Sequence, residues 1–306
     1  MRERIKDLVR RSPCRLREQV SLAPLTTFRA GGPADVLAEP ASESELLGLL
    51  IQLRELALPY FFLGLGSNIL VSDQGIRGVV IRCRGELSSI SLSGDTLIAG
   101  PSARLLLLTA IAARNSLSGM EPLSGIPGTV GGGLYMNAGA YGGEISDTLI
   151  DVKVVRPDLT TTIWRKDEIS FGYRSAPELR NVIVLESRYR LKPAEQNTIY
   201  AEMRRVWNMR RQKQPVEFPS AGSIFKRPPG DFAGRLIEEA GCKGLRIGGA
   251  IVPLTHAGIF VNDRAGSASD IANLVQTVRR RVYDKFDVLL ENEIMPVGFN
   301  ADPFAI

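Results

Sequence analysis

The sequence is poor in the residues that build metal sites, disulfide frameworks and membrane spans. His256 is the only histidine among 306 residues, and no His, Cys and carboxylate cluster has metal-ligand spacing, so no metal site is expected. The three cysteines, Cys14, Cys83 and Cys242, are widely separated and form no CxxC pair, which indicates reduced thiols in a cytoplasmic protein. The apolar run from Leu105 through Ala113 is too short to cross a bilayer.

The signatures of several enzyme classes are also missing. Nothing matches the P-loop pattern GxxxxGK[ST], and no Gly-x-Ser-x-Gly elbow accompanies His256, which argues against a Ser-His-Asp triad. Gly64-x-Gly66-Ser67-Asn68 follows an apolar strand but lacks the third glycine and the helix of a dinucleotide-binding fingerprint. Alone, this motif is more typical of a tight turn than of a ligand loop.

Charge is concentrated at the start of the chain. The formal net charge is +5, and residues 1–18 alone carry seven basic and three acidic side chains, a net of +4. No aromatic residue lies between these arginines, so the pattern favours a solvated helix face over a nucleic-acid-binding arm. We therefore expect neither a nucleic-acid nor a membrane partner. We also expect a monomer, because no apolar stripe is left without a role inside the protein.

The periodicity predicts mixed helices and strands. Ser42-x-x-Glu45 has the form of a capping box ahead of a leucine-rich helix. Residues 151–156 and 160–165 alternate around Pro157-Asp158, which predicts a β-hairpin, and Ala268–Lys285 reads as a long helix capped by Ser267 or Ser269. An antiparallel hairpin among helices favours the α+β class over a doubly wound parallel sheet.

The segment Ser124–Glu144 is the most informative part of the chain. It is rich in glycine, yet it carries apolar residues such as Val130, Leu134 and Met136, which a disordered linker would lack. Glycines let backbone amides approach a ligand closely, and successive amides bind anionic oxygen. Together with Gly64–Asn68, this segment predicts a large phosphate-bearing ligand held against the backbone.

Three further stretches carry side chains suited to chemistry. Arg174 lies in Phe171–Ser175, where its guanidinium either binds a carboxylate or stacks on Tyr173 and pairs with an acidic side chain. Ser223 follows a glycine in what reads as the start of a strand, with Lys226 three positions on, although an ordinary loop would look similar. Glu291 and Glu293 would share one face of a strand, either solvated or pointing into a site.

These stretches, in this order, resemble the UDP-N-acetylenolpyruvoylglucosamine reductase family over essentially the whole chain. The resemblance is carried by motifs in Thr26–Pro33, Leu65–Asn68, Ser124–Gly142, Tyr173-Arg174, Ala221–Lys226 and Glu291-x-Glu293. The short region 172–217 is similar to the subclass without an extra substrate-capping loop. Departures from the family pattern fall at Ala176, Arg227, Gly258 and Met295, and none of them removes a catalytic group.

The resemblance implies an α+β fold with an FAD-binding module of the PCMH/VAO type. Its two subdomains would cover residues 1–78 and 79–196, the substrate-binding domain would cover 197–298, and the tail 299–306 would return to the first subdomain. It also implies NADPH as the reductant and UDP-N-acetylglucosamine enolpyruvate as the substrate. A hydride would pass from flavin N5 to C3 of the enolpyruvyl ether, and a proton would then reach C2.

The resemblance further assigns roles to single residues. Ser223 would donate the proton, Arg174 would stabilise the enolate, and Glu293, protonated or offset by Arg174, would act with it at the substrate carboxylate. Tyr173, Lys226 and His256 would contact the substrate. The residues implied in cofactor binding are Gly64, Leu65, Gly66, Ser67, Asn68, Ser124, Gly125, Ile126, Pro127, Gly128, Thr129, Gly131, Gly132, Asn137 and Gly139.

Two other functions remain open at this stage. A different FAD-dependent oxidoreductase of the same fold would not need Ser223, Arg174 and Glu293 together. A non-catalytic flavin-binding regulatory protein would have no reason to keep all three.

Overall fold

The computed structural model describes residues 1–306 and contains seven α-helices. The helices are α1 Arg2–Arg11, α2 Glu43–Glu55, α3 Leu105–Arg114, α4 Val130–Tyr135, α5 Gln196–Lys213, α6 Ala233–Glu239 and α7 Ala268–Phe286. No helix is both long enough and apolar enough to span a membrane.

Eighteen short strands accompany the helices. They are β1 Arg15–Ser21, β2 Pro33–Glu39, β3 Tyr60–Phe62, β4 Ile69–Val71, β5 Ile76–Ile81, β6 Ile90–Ser93, β7 Thr96–Ala99, β8 Leu117–Ser118, β9 Gly139–Ala140, β10 Gly143–Glu144, β11 Leu149–Val155, β12 Thr161–Arg165, β13 Ile183–Arg190, β14 Lys192–Pro193, β15 Arg246–Ile247, β16 Ala250–Ile251, β17 Val261–Asn262 and β18 Met295–Val297. The larger sheets have the orders β1-β2-β5-β3, β12-β11-β13-β7-β6 and β15-β16-β17. This mixture confirms the predicted α+β class.

The chain forms two compact units, each assembled from three stretches. The first unit contains Met1–Arg17, Leu37–Gly64 and Val80–Met209, and the second contains Glu18–Val36, Leu65–Val79 and Arg210–Ile306. The three predicted domains follow one another along the chain, whereas each compact unit combines three separate stretches. The predicted domain boundaries stay predictions.

The first unit is built around the five-stranded sheet. The predicted hairpin is confirmed: β11 and β12 are antiparallel, with Val152 opposite Trp164. Val152 and Val154 are buried together with Leu105 and Leu108 of α3. The helix α2 belongs to the same unit and begins as predicted, because Ser42 Oγ accepts the Glu45 N–H at 3.2 Å and caps its first turn.

The second unit is built around α7. Ser267 and Asp270 form a capping box at its start, which confirms Ser267 as the N-cap. The buried face of α7 repeats at helical spacing, through Ile271, Leu274, Val275, Val278 and Val282. The same core contains the tail residue Phe304, which has no exposed surface, together with Phe28 and Leu70.

Candidate active site

The loop after β3 places consecutive backbone amides without protein acceptors. Gly66 has φ +62°, and a Cβ there would lie 2.8 Å from Leu25 O, so only glycine fits without strain. The Gly66 carbonyl accepts the Thr27 N–H at 3.1 Å. The N–H groups of Gly66, Ser67 and Asn68 donate no hydrogen bond within the protein. Successive amides of this kind suit anionic oxygen.

Asn68 joins this loop to the C-terminal part of the second unit. Its side-chain amide donates to the Glu293 carbonyl at 3.0 Å, and its own carbonyl accepts the Met295 N–H at 3.0 Å. Directly after it, β4 pairs in parallel with β18. Asn68 is therefore held next to Glu293 by its side-chain amide and by its backbone carbonyl.

Ser223 and Glu293 lie on paired segments of the second unit. The Glu293 N–H donates to Ile224 O at 2.8 Å, the Lys226 N–H donates to Glu291 O at 2.8 Å, and Phe225 and Asn292 form an isolated antiparallel bridge. The pairing between these segments stops there, so Ser223, Glu291 and Glu293 lie outside any strand, and the strand near the C-terminus is β18, which begins only at Met295. A single bridge joins the two segments, and Ile224, the residue after Ser223, accepts the hydrogen bond from Glu293.

His256 belongs to the same assembly. The Ile224 N–H donates to Gly258 O at 3.0 Å, and the Gly258 N–H donates to His256 Nδ1 at 3.1 Å. Desolvation by burial lowers the pKa of His256, since burial disfavours the imidazolium. Because Nδ1 accepts the Gly258 N–H, the proton of the neutral ring lies on Nε2.

Lys226 has a partner that the sequence pattern did not reveal. Its Nζ forms an ion pair with the Glu291 carboxylate, which is itself mostly exposed. Lys226 keeps only a quarter of its side chain exposed. Its predicted contact with the substrate stays a prediction.

The glycine-rich segment of the first unit contains a short helix rather than turns alone. Thr129 caps α4, its Oγ1 accepting the Gly132 N–H at 3.3 Å, and the Gly131 N–H donates to Pro101 O at 2.8 Å. These two glycines therefore have no N–H left for a ligand. Gly131 instead permits close packing, because a Cβ there would lie 3.1 Å from Pro101 O.

Other amides of this segment remain available. The N–H groups of Gly125, Gly128 and Thr129 donate no hydrogen bond within the protein, whereas those of Ser124 and Ile126 close turns onto Glu121 and Leu123. Gly64, near the start of the loop after β3, lies against Thr129, because a Cβ on Gly64 would fall 2.7 Å from Thr129 Oγ1.

Arg174 lies at the tip of a two-residue turn in the first unit. Gly172 and Ser175 exchange two backbone hydrogen bonds, of 2.9 and 3.1 Å, and Arg174 has φ +53°, which is uncommon for a side chain of this size. Its guanidinium carbon lies 5.0 Å from the centre of the Tyr173 ring, and its Nη2 donates to Gly139 O at 2.9 Å. A guanidinium held in this way presents a fixed cation.

The side chain of Asn137 has no exposed surface. Its Nδ2 donates to Gly172 O at 3.0 Å and to Glu144 Oε2 at 2.6 Å. Glu144 and Gly172 are not among the site residues predicted from the sequence. The signal that could have found them is the acidic residue at the end of the glycine-rich segment and the glycine two positions before Arg174.

The arrangement fits a flavin dinucleotide. Each unit carries backbone amides without protein acceptors, Gly66–Asn68 in the second unit and Gly125, Gly128 and Thr129 in the first, and each set suits phosphate oxygens of such a ligand. The close approaches at Gly64 and Gly66 explain why glycine stands there. No group of three or more His, Cys, Asp and Glu side chains could hold a metal ion.

Comparison with known proteins identifies an FAD-binding domain and a reductase domain in this chain. The model of the UDP-N-acetylenolpyruvoylglucosamine reductase C-terminal domain matches residues 214–297, and an FAD-binding domain model matches residues 34–162. UDP-N-acetylenolpyruvoylglucosamine reductase 2 of Symbiobacterium thermophilum is 43% identical over 301 residues, which are 98% of this chain and 97% of that protein. The reductase of Caldanaerobacter subterraneus is 40% identical over 297 residues, 97% of each.

A solved structure extends the likeness to the fold. The crystal structure of UDP-N-acetylenolpyruvylglucosamine reductase (MurB) from Thermus caldophilus superimposes with a TM-score of 0.81 at 39% identity, covering 93% of this chain and 99% of that one. The predicted FAD-binding α+β fold is thereby confirmed. The chain belongs to the UDP-N-acetylenolpyruvoylglucosamine reductase family.

Proposed function

We propose that Ser223, Arg174 and Glu293 divide the work of substrate reduction in this chain. The protein is an FAD-dependent, NADPH-using reductase of UDP-N-acetylglucosamine enolpyruvate, and it acts in peptidoglycan precursor synthesis. When bound, FAD would supply the redox chemistry, which is hydride transfer from NADPH to C3 of the enolpyruvyl double bond. The protein side chains must then stabilise the negative charge that hydride addition creates and supply a proton.

Arg174 holds the substrate carboxylate. Hydride addition at C3 places negative charge on C2, and the adjacent carboxylate can accept it only if a cation stabilises the resulting enolate. The turn with φ +53° and the contacts with Tyr173 and Gly139 fix the guanidinium before the substrate arrives. A preorganised cation needs little rearrangement as the charge develops.

Ser223 Oγ donates the proton to C2, and Glu293 acts beside it. The observation that carries this assignment is the 2.8 Å hydrogen bond from the Glu293 N–H to Ile224 O, which keeps the two side chains on adjoining backbone. Gly222 before Ser223 has φ +70°, a backbone conformation that glycine adopts without strain. A serine is a weak acid, but a neighbouring carbanion is basic enough to take its proton.

The experiment that tests this function separates the two half-reactions. In Ser223→Ala we expect NADPH to reduce the flavin normally, whereas reoxidation by UDP-N-acetylglucosamine enolpyruvate falls by about 10²- to 10⁴-fold, the range for loss of a general acid. Anaerobic stopped-flow absorbance of the flavin follows both steps. Ser220→Ala, three residues earlier in the same loop, should turn over like the wild type.

Two outcomes would contradict the proposal. If wild-type reduced flavin is not reoxidised by the enolpyruvyl substrate, the protein serves another reaction on the same fold. If Ser223→Ala reoxidises as fast as wild type, another group donates the proton.

We also propose that the protein is a cytoplasmic monomer that binds no nucleic acid. Its three cysteines are free thiols, as expected in a reducing compartment. Several basic side chains of α1 are engaged within the protein, with Arg4 donating to the Leu56 and Ala57 carbonyls and Arg11 pairing with Asp7 and Glu55. Light scattering after size exclusion should give a mass near 33.4 kDa.

A further inference from the structure

We propose that Asn137 is a positioning residue for Arg174, acting through the carbonyl of Gly172 and held in place by Glu144. This inference rests on the proposed function, because it gives a purpose to holding the Arg174 turn in one conformation. All of the residues involved lie in the first unit.

The turn Gly172–Ser175 is hydrogen-bonded at its base and at its tip to the segment 137–144. At the base, Gly172 O accepts both the Ser175 N–H that closes the turn and Asn137 Nδ2, at 3.1 and 3.0 Å. At the tip, Arg174 Nη2 donates to Gly139 O at 2.9 Å. Gly139 pairs with Glu144 across the β9–β10 ribbon, so both attachments belong to residues 137–144.

Glu144 fixes the orientation of the Asn137 amide. Its carboxylate accepts Nδ2 at 2.6 Å and is itself held by a reciprocal capping interaction with Asp147. Nδ2 thus faces two acceptors, Gly172 O and Glu144 Oε2. The reversed amide would set Oδ1 against both of these oxygens, so the donor orientation is the only favourable one.

The position has features that packing alone does not explain. Asn137 Oδ1 is buried without a hydrogen-bond partner, and the backbone of Asn137 has φ +41°. An unsatisfied buried oxygen is unfavourable, and asparagine tolerates this backbone region better than most residues. Asparagine combines this backbone conformation with a donor aimed at the base of the Arg174 turn.

Holding the turn matters because the guanidinium acts on charge that develops during the reaction. A displacement of about 1 Å in a catalytic group can reduce a rate by about 10²-fold. Loss of the Asn137 amide should therefore impair the step in which Arg174 acts more than it impairs the others.

The first test compares Asn137→Ala with Asn137→Asp in the FAD-loaded protein. For Asn137→Ala, loaded with FAD to the wild-type ratio, we expect a fall of about 10- to 100-fold in kcat for reoxidation by the enolpyruvyl substrate relative to the flavin-reduction rate of the same sample, with a smaller change in KM. Asn137→Asp should be worse, because a carboxylate oxygen would then face Gly172 O and Glu144. A residue that only fills space would give the opposite order, since aspartate keeps the volume.

The second test shows whether the effect passes through Arg174. In an Arg174→Ala background, adding Asn137→Ala should cause no further loss of reoxidation, because the group that it positions is already missing. A readout independent of turnover is the dissociation constant of the substrate for the oxidised holoenzyme, followed by the flavin absorbance change. It should weaken in Asn137→Ala and not weaken further in the double variant.

Asn262→Ala is the matched control. Its amide is also buried and also donates to two backbone carbonyls, those of Phe28 and Gly266, at 2.9 and 3.1 Å. It should lose stability, measured as the free energy of unfolding, without a selective loss of reoxidation. The same selective loss in this control would overturn the inference.

Glu144 provides a route that leaves Asn137 in place, should the Asn137 variants fail to fold. Glu144→Ala should slow reoxidation selectively, and Glu144→Gln, which keeps an acceptor oxygen, should restore it. If Arg174→Ala reoxidises like wild type, the proposed function is wrong. If Arg174→Ala is impaired while the Asn137 and Glu144 variants are normal, only the positioning inference is wrong.

Discussion

For a single residue, burial decides which protonation state the only histidine holds. Burial lowers the pKa of His256 below the ordinary value of about 6.5, so the folded protein keeps the imidazole neutral where the unfolded chain would protonate it. The neutral ring accepts the Gly258 N–H at Nδ1 and presents an N–H at Nε2. His256 is therefore suited to donate a hydrogen bond to a substrate oxygen.

This shift predicts a pH dependence of stability. Below about pH 6.5 the unfolded chain binds a proton that the folded protein does not, so the contribution of His256 is complete above this pH and is lost as pH falls toward the lower folded pKa. His256→Asn keeps an acceptor without titrating. The free energy of unfolding in urea should therefore fall more steeply for wild type than for His256→Asn between about pH 7 and about pH 5.

Carboxylates titrate in both proteins and cancel in this comparison. Parallel pH profiles for wild type and His256→Asn would mean that His256 has the same pKa in the folded and unfolded chains.

The residue types at the site could be predicted from the sequence, but their partners could not. Ser223, Lys226 and Glu291 were identified from local pattern. The ion pair between Lys226 and Glu291 joins residues 65 apart in the chain, and it depends on the bridge between Phe225 and Asn292. No local periodicity encodes a bridge of one residue pair.

Among the elements, the loop Gly64–Asn68 depends on backbone geometry more than on side chains. The turn was predicted from its glycines, but β4 directly after it was not, because three residues carry too little periodicity and their partner β18 lies far along the chain. Similarly, the helix α4 was missed because its three glycines are poor helix formers, and the Thr129 cap and packing around Val130 and Leu134 prevail over that preference.

Gly66→Ala should separate cofactor binding from backbone strain. A Cβ at Gly66 would lie 2.8 Å from both Leu25 O and Thr26 Cα, so the loop must move, and the amides of Ser67 and Asn68 move with it. We expect the purified variant to carry much less FAD, measured as the flavin-to-protein absorbance ratio. Strain from φ +62° alone would add about 1–2 kcal/mol of destabilisation.

Gly94→Ala is the matched control for this prediction. Gly94 has nearly the same φ, +60°, but nothing lies within 4 Å of an added Cβ. It should lose about 1–2 kcal/mol of stability and keep its full FAD content. Equal FAD loss in both variants would show that instability, and not the loop, controls cofactor retention.

At the scale of the whole molecule, the family could be predicted from ordered motifs, whereas the compact units could not. Each unit is assembled from three separate stretches of chain. The second unit includes residues 65–79, which lie inside the region matched to the FAD-binding domain, and residues 18–36, most of which precede it. Burial of Phe28 and Leu70 with the face of α7 depends on contacts between distant parts of the sequence. Hydrophobic periodicity identifies a buried face but not the face that covers it.

Removal of FAD should lower the free energy of unfolding, and part of this loss should come from the loop Gly64–Asn68. A ligand that binds only the folded state at about 100 times its Kd raises the free energy of unfolding by about 2.7 kcal/mol. The stripped protein should therefore unfold at lower urea concentration and recover on addition of FAD. Riboflavin has the same ring but lacks the phosphates and the adenosine, so the amides of Gly66–Asn68 and those of Gly125, Gly128 and Thr129 gain no anionic partner from it. At equal concentration it should restore much less stability, and Gly66→Ala should reduce the response to FAD while barely changing the response to riboflavin. Equal recovery with riboflavin and FAD would place the binding energy on the flavin ring and contradict the assignment of these amides to the phosphates.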